Sequence, residues 1–268
     1  MTHLKKYLTL TRAGVIEFLQ FRASTLVVIG GNLIYLIVIY NLWKSIYASV
    51  DTDVVNGMTF TDTMIYLVLA TALFNFMEDF LVWEMGRSIQ SGAIALDILK
   101  PMPYEQYKFF SFSGGTLCSF FATFLPTFLV VELITGGAIR PGLNLLWFLL
   151  SVIFGTIINF SINFFVGTIC LYSQSIWGIN IMKEVLVLFL SGATVPLAFF
   201  PDTLRKVVEY LPFRSIYDTP LRLLTDTTLS TQSVLQLLGI QVIWVAVTLL
   251  LSKLFWQKSL KIITVNGG

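Results

Sequence analysis

The stretch SGATVPLAFFPDTLRKVVEYLPFRSIYDTP, Ser191–Pro220, changes character in its middle. It opens as the greasy end of a membrane helix, meets Pro196 and Pro201, turns charged and amphipathic, and then meets Pro212 and Pro220. Leu204, Val207, Val208 and Leu211 recur at i, i+3, i+4 and i+7, while Asp202 with Lys206 and Arg205 with Glu209 form i, i+4 pairs on the other side. A helix with one greasy and one wet face belongs at a membrane interface, or half-inserted and returning. Pro201 starts it where a missing N–H costs nothing, and Pro212 stops it, which leaves room for about three turns. Pro196 should break or kink the span just before it. The expected outer element, within residues 196–220, is thus built on Pro196, Pro201, Leu204, Val208, Leu211 and Pro212.

Working outward, the rest of the chain reads as membrane protein. It is 56% hydrophobic and 12% charged over 268 residues, against about 25% charged in a soluble domain. No polar block is long enough for a soluble domain, so residues 1–268 form one transmembrane domain. Hydropathy gives six spans: Thr25–Tyr47, Thr61–Trp83, Phe109–Thr135, Leu143–Tyr172, Ile176–Phe200 and Val234–Trp256. Lys5, Lys6, Arg12 and Arg22, then Arg87, Lys100 and Lys108, then Lys253, Lys258 and Lys261 fall on one side, whereas the first opposite loop carries Asp51 and Asp53. The positive-inside rule puts both termini in the cytoplasm of a cell (inner or plasma) membrane, as in a bacterial multi-pass protein. Arg205, Lys206, Arg214 and Arg222 dissent, balanced by Asp202, Glu209, Asp218 and Asp226.

Leu4, Leu8, Thr11, Val15 and Leu19 recur at helical spacing before the first span, so residues 1–22 read as an amphipathic helix on the cytoplasmic surface or as an extension of that span. Cys118 and Cys170 both lie in spans and read as free thiols. Scattered basic residues form no nucleic-acid patch. His3 is the sole histidine, which leaves almost no material for a His-based triad, metal or haem site.

The cytoplasmic segment 84–108 places Ile89, Ala93 and Leu96 on one helical face beside Arg87, Asp97 and Lys100, before Pro101. Glu78 and Asp79 in the second span and Lys183 and Glu184 in the fifth fall at similar depth, where charges are paired or face water unless they reach the headgroups. Two stripes at i+4 spacing, Ser111–Gly115–Ser119–Thr123 and Gly155–Asn159–Asn163–Gly167, suit helix packing; Asn159 and Asn163 could also line a substrate path.

Two stretches carry a resemblance: SGAIALDILKPMPYEQY (Ser91–Tyr107), with its LDILKP, and the proline-bounded GATVPLAFFPDTLRKVVEYLPF (Gly192–Phe213). In this order among six spans, the chain resembles the permease of type-2 ABC exporters, in the compact six-helix branch near daunorubicin-resistance-type permeases. The resemblance implies an all-α polytopic fold, a re-entrant outer hairpin over the exit, and a cytoplasmic loop that couples to an ATPase. No G-x-x-x-x-G-K-[ST] is present, so ATP and Mg would be bound by a separate ABC ATPase subunit and this chain would carry no cofactor and catalyse nothing itself. The implied partners are that ATPase, a second permease copy or a similar paired permease, and membrane lipid, with no nucleic acid. The rival classes are a membrane enzyme or assembly scaffold, and a secondary transporter, for which no inverted repeat is evident.

Overall fold

In hydrocarbon every backbone polar group must be paired within the protein, so long apolar runs fold as helices. The computed structural model describes residues 3–20, 22–50, 52–137, 139, 142–173 and 176–262. Helix α1 (His3–Gln20) leads to α2 (Arg22–Ala48), and then to a hairpin of β1 (Val54–Val55) and β2 (Met58–Thr59). Asn56 and Gly57 turn that hairpin at positive φ. Thr59 then caps α3 (Phe60–Met77) in a reciprocal capping box with Asp62. Next come α4 (Leu81–Gln90), α5 (Ile94–Ile98), α6 (Tyr104–Ser119), a π-helical turn at Phe120–Phe124, and α7 (Leu125–Thr135). The chain continues through α8 (Leu143–Ile169), α9 (Ile176–Leu190), a 3₁₀ turn at Leu197–Phe199, α10 (Asp202–Val208), α11 (Asp218–Thr225) and α12 (Thr231–Ser259).

Among the described residues five stretches are long and apolar enough to cross a membrane: Val27–Ala48, Phe60–Gln90, Tyr104–Thr135, Leu143–Ile169 and Thr231–Ile262. This is an all-α polytopic membrane protein. The expected fifth span, Ile176–Phe200, is not one of these uninterrupted stretches. Helix α9 stops at Leu190 after 15 residues, about 22 Å at 1.5 Å per residue, short of a hydrocarbon core of about 30 Å. Its end comes before Pro196: the chain turns at Gly192 with φ of 80°, a conformation glycine adopts without strain. The second span also breaks, at Glu78–Phe80 between α3 and α4.

The core lies along α3, whose Leu67, Leu69 and Leu73 are fully buried. Helix α8 packs against α11 and α12, and α11 against α3. Phe120, Phe124 and Phe148 stack at 5.3 and 5.1 Å where the π turn precedes Pro126. Pro126 has no N–H to give the preceding turn, which is where a π turn relieves the ladder. Most of α2 is exposed and apolar, as a lipid-facing helix must be.

Helix α1 lies against α6, a contact that its spacing did not announce. Leu8 and Leu19 are exposed, whereas Gly14 is buried and Thr11 and Val15 are half-buried. The Tyr7 ring lies 4.6 Å from Phe110 and its hydroxyl donates to Gln106 at 2.6 Å. The reason is steric: Gly14 and Gly114 let the two backbones meet, and side chains on that face would hold them apart.

Candidate functional site

The break in the second span is the polar centre of the bundle. Ending α3 at Met77 frees a carbonyl inside the bundle, and Asn159 of α8 donates its Nδ2 to it at 2.9 Å. Asp79 accepts from the Leu81 backbone N–H at 3.2 Å and from Asn163 Nδ2 at 2.8 Å, so it caps the start of α4 and is itself held by α8. Both asparagines of the α8 stripe thus each donate an amide N–H to the break. The two glycines of the stripe take the close contacts: a Cβ on Gly155 would sit 3.1 Å from the Ile216 carbonyl oxygen, and one on Gly167 2.7 Å from Met85 Sδ.

Lys183 and Glu184 of α9 come to the same place. With Glu78, Asp79, Asn159, Asn163 and Tyr217 they line a cavity of about 20 Å³. Among the described residues Lys183 makes no ion pair within 4.0 Å, while Glu184 accepts a hydrogen bond from Asn180 on its own helix. The four charges are therefore gathered around one point rather than joined by a direct bridge.

The segment 84–108 is two short helices, not the single face expected, because Gly92 turns the chain at φ of 75° between α4 and α5. Lys108 closes the segment from α6. Its Nζ donates to Glu84 at 2.6 Å and to Asp97 at 3.2 Å, and lies over the Tyr104 and Tyr107 rings at 5.3 and 5.1 Å. Asp97 also takes Lys100 at 2.7 Å. Burial alone would push the Asp97 carboxyl up, but the hydrogen bonds and charges of Lys100 and Lys108 outweigh it and hold it below the ordinary carboxylate range. Ile94 and Ile98 turn inward, whereas Leu96 and Leu99 are 71% and 80% exposed beside exposed Arg87 and Ala93. Ile89 is half-buried and packs inward too.

At the hairpin end, Val208 is fully buried with Leu197 and Phe200, and Leu204 and Leu211 pack against them. Helix α10 has seven residues, two turns rather than three, and Val207 is exposed, so the greasy face is narrower than its spacing suggested. Arg205 and Glu209 pair at 3.6 Å, while Asp202 and Lys206 form no bridge within 4.0 Å. Pro196 is buried, Pro201 is the N-cap of α10, and Pro212 is half-buried in the following turn. An aspartate at Val208 would bury an unpaired charge, so Val208→Asp should cut yield and thermal stability sharply, while Val207→Asp should be tolerated. Unfolding curves of the two variants check this; equal tolerance would mean α10 is not docked.

Sequence reasoning passed over one group here. Arg214 Nε donates to Asp218 at 2.9 Å in a buried pair, and Tyr66 donates to the same carboxylate at 3.3 Å. Both charges read as ordinary loop residues in the sequence, and only their i, i+4 spacing hinted at the bridge.

Residues 28–267 match the family model described as ABC-2 family transporter protein. The chain belongs to the ABC-2 transporter family. It is accordingly a membrane-embedded permease component of an ABC transporter, and the match is to the family rather than to the daunorubicin-resistance-type branch. No curated protein matches the chain significantly. For an ABC-2 permease, the break at Glu78–Phe80 and the staple around Lys108 are two of the places where charge is concentrated in or against the spans, beside the buried Arg214–Asp218 pair.

Proposed function

We propose that the chain is the permease of an exporter in a cell membrane, driven by a separate ATPase subunit that binds ATP and Mg, and that it works as a dimer with a second copy or a similar permease. The family match over residues 28–267 carries this reading. Both termini are cytoplasmic, with Ile176–Phe200 making a sixth, interrupted crossing through α9 and the turns after it; residues 1–22 form an interfacial helix, residues 84–108 dock the ATPase, and residues 196–220 cover the exit as a returning or interfacial element. The staple supports the docking role. A segment held rigid by Glu84, Lys108 and Asp97 can transmit a push, and its Leu96, Leu99 and Arg87 are exposed. Closure of the ATPases on ATP would then move α4 and α5 and reach the bundle through the break that Asn159 and Asn163 brace. Glu78, Asp79, Lys183 and Glu184 keep that break polar beside the pathway.

Leu96→Asp with Leu99→Asp tests the docking. Both side chains are exposed, so the variant should fold with wild-type thermal stability yet lose most of its co-purification with the ATPase, and transport with it. Retention of both at wild-type levels would put the coupling surface elsewhere.

A further inference from the structure

The hairpin end holds a cavity of about 700 Å³ between the hairpin, the start of α3, residues 196–198, α10 and α11, within the range of small-molecule sites of about 300–1,000 Å³. Its walls are mixed, with Met58, Ile65 and Leu197 alongside charged groups. Those charges can be accounted for one by one. Arg214 is held by Asp218 at 2.9 Å and Arg205 by Glu209 at 3.6 Å. Asp62 Oδ2 accepts from the Thr59 N–H and hydroxyl at 3.1 and 2.7 Å as a helix cap. Asp226 Oδ1 accepts from the Thr228 N–H and hydroxyl at 3.0 and 2.6 Å. Arg222 remains. It is half-buried in α11 and lines the cavity, yet among the described residues its guanidinium makes no hydrogen bond and no ion pair within 4.0 Å. A guanidinium offers five donors in a fork that fits an oxyanion, and withdrawing it from water without a partner is costly.

We propose that this cavity binds the oxyanion group, phosphate or carboxylate, of an amphiphilic molecule through Arg222, with part of its hydrocarbon against Met58, Ile65 and Leu197. This rests on the export reading only for what the molecule is doing there, as cargo or as bound lipid. Its test reads binding alone, so failure here leaves the ATPase-coupling test untouched.

The full chain in detergent is titrated by native mass spectrometry with three probes: dioleoyl phosphatidylglycerol, dioleoylglycerol, which has the tails without the oxyanion, and glycerol 3-phosphate, which has the oxyanion without the tails. Wild type should hold phosphatidylglycerol and not dioleoylglycerol. Arg222→Gln should weaken that binding roughly tenfold or more, the loss expected for one charge-assisted contact, and Arg222→Lys should keep part of it. Thr228→Asp, on the exposed rim, adds a repelling charge without touching α11 and should weaken binding likewise; if Arg222→Gln does not fold, Thr228→Asp alone decides the question. Competition by glycerol 3-phosphate would show that the oxyanion suffices and a soluble ligand fits; failure to compete would show that the tails are needed. Unchanged binding in folded Arg222→Gln and Thr228→Asp, or equal retention of dioleoylglycerol, overturns the proposal.

Discussion

Lys108→Met should destabilise the protein markedly. The lysine side chain is 1% exposed and bridges Glu84 at 2.6 Å and Asp97 at 3.2 Å. Methionine keeps most of the apolar stem but leaves two carboxylates facing each other across a buried gap. Removing one partner of a buried ion pair costs about 3–5 kcal/mol, and because Glu84 is partly open to solvent the lower end, about 3 kcal/mol, applies. For a chain of this size that is a fall of roughly 6–12 °C in unfolding temperature, accompanied by protease sensitivity within residues 84–108. Glu84→Gln added to Lys108→Met should return part of the loss, since one uncompensated charge then disappears. A wild-type melting curve for Lys108→Met would remove the staple and the rigidity argued from it. Acid should act on the same contact. The Asp97 carboxyl is held below its ordinary value, so its contribution is present above that value and is lost only as pH falls through the lowered one.

The helices are legible in the sequence because lipid demands long uninterrupted apolar runs, and those runs stand out from the charged loops. Their interruptions are not. Residues Asn75–Phe80 contain no glycine or proline, so nothing local announces the break; the partners that satisfy it, Asn159 and Asn163, lie 82 and 84 residues away along the chain. The end of α9 is hidden for a different reason. The prolines downstream draw attention to Pro196, while Gly192, the residue at positive φ, reads in a sequence as one more small residue in a span. Lys108 reads as a positive-inside charge because sequence gives its depth and not its neighbours, and Arg214 and Asp218 are lost among loop charges in the same way. The α8 stripe is legible, since small residues at i+4 spacing have few uses other than close packing, and Gly155 and Gly167 do meet neighbouring segments.

The α6 stripe shows how far such spacing arguments reach, and it yields a prediction that separates adjacent residues. Its spacing singles out Gly115, but the crossing with α1 is made by Gly114. A Cβ there would sit 2.0 Å from the Thr11 carbonyl oxygen and 2.7 Å from the Val15 nitrogen, whereas a Cβ on Gly115 would meet nothing within 4 Å. The obstructing atoms are backbone, so no rotamer change can relieve them, and the helix must move as a body. Overpacking a fixed site costs about 1–3 kcal/mol and more where backbone is displaced. Gly114→Leu should therefore detach α1 from α6, and trypsin should cut after Lys5, Lys6 or Arg12 in the folded, detergent-solubilised protein at a rate many times that of wild type. Gly115→Ala should leave α1 protected, and by replacing a glycine inside a helix it should stabilise α6 by up to about 1 kcal/mol. Protection of α1 in both variants would mean the two helices do not meet at Gly14 and Gly114; exposure in both would mean that α6 itself, rather than the crossing, fails when a glycine is replaced.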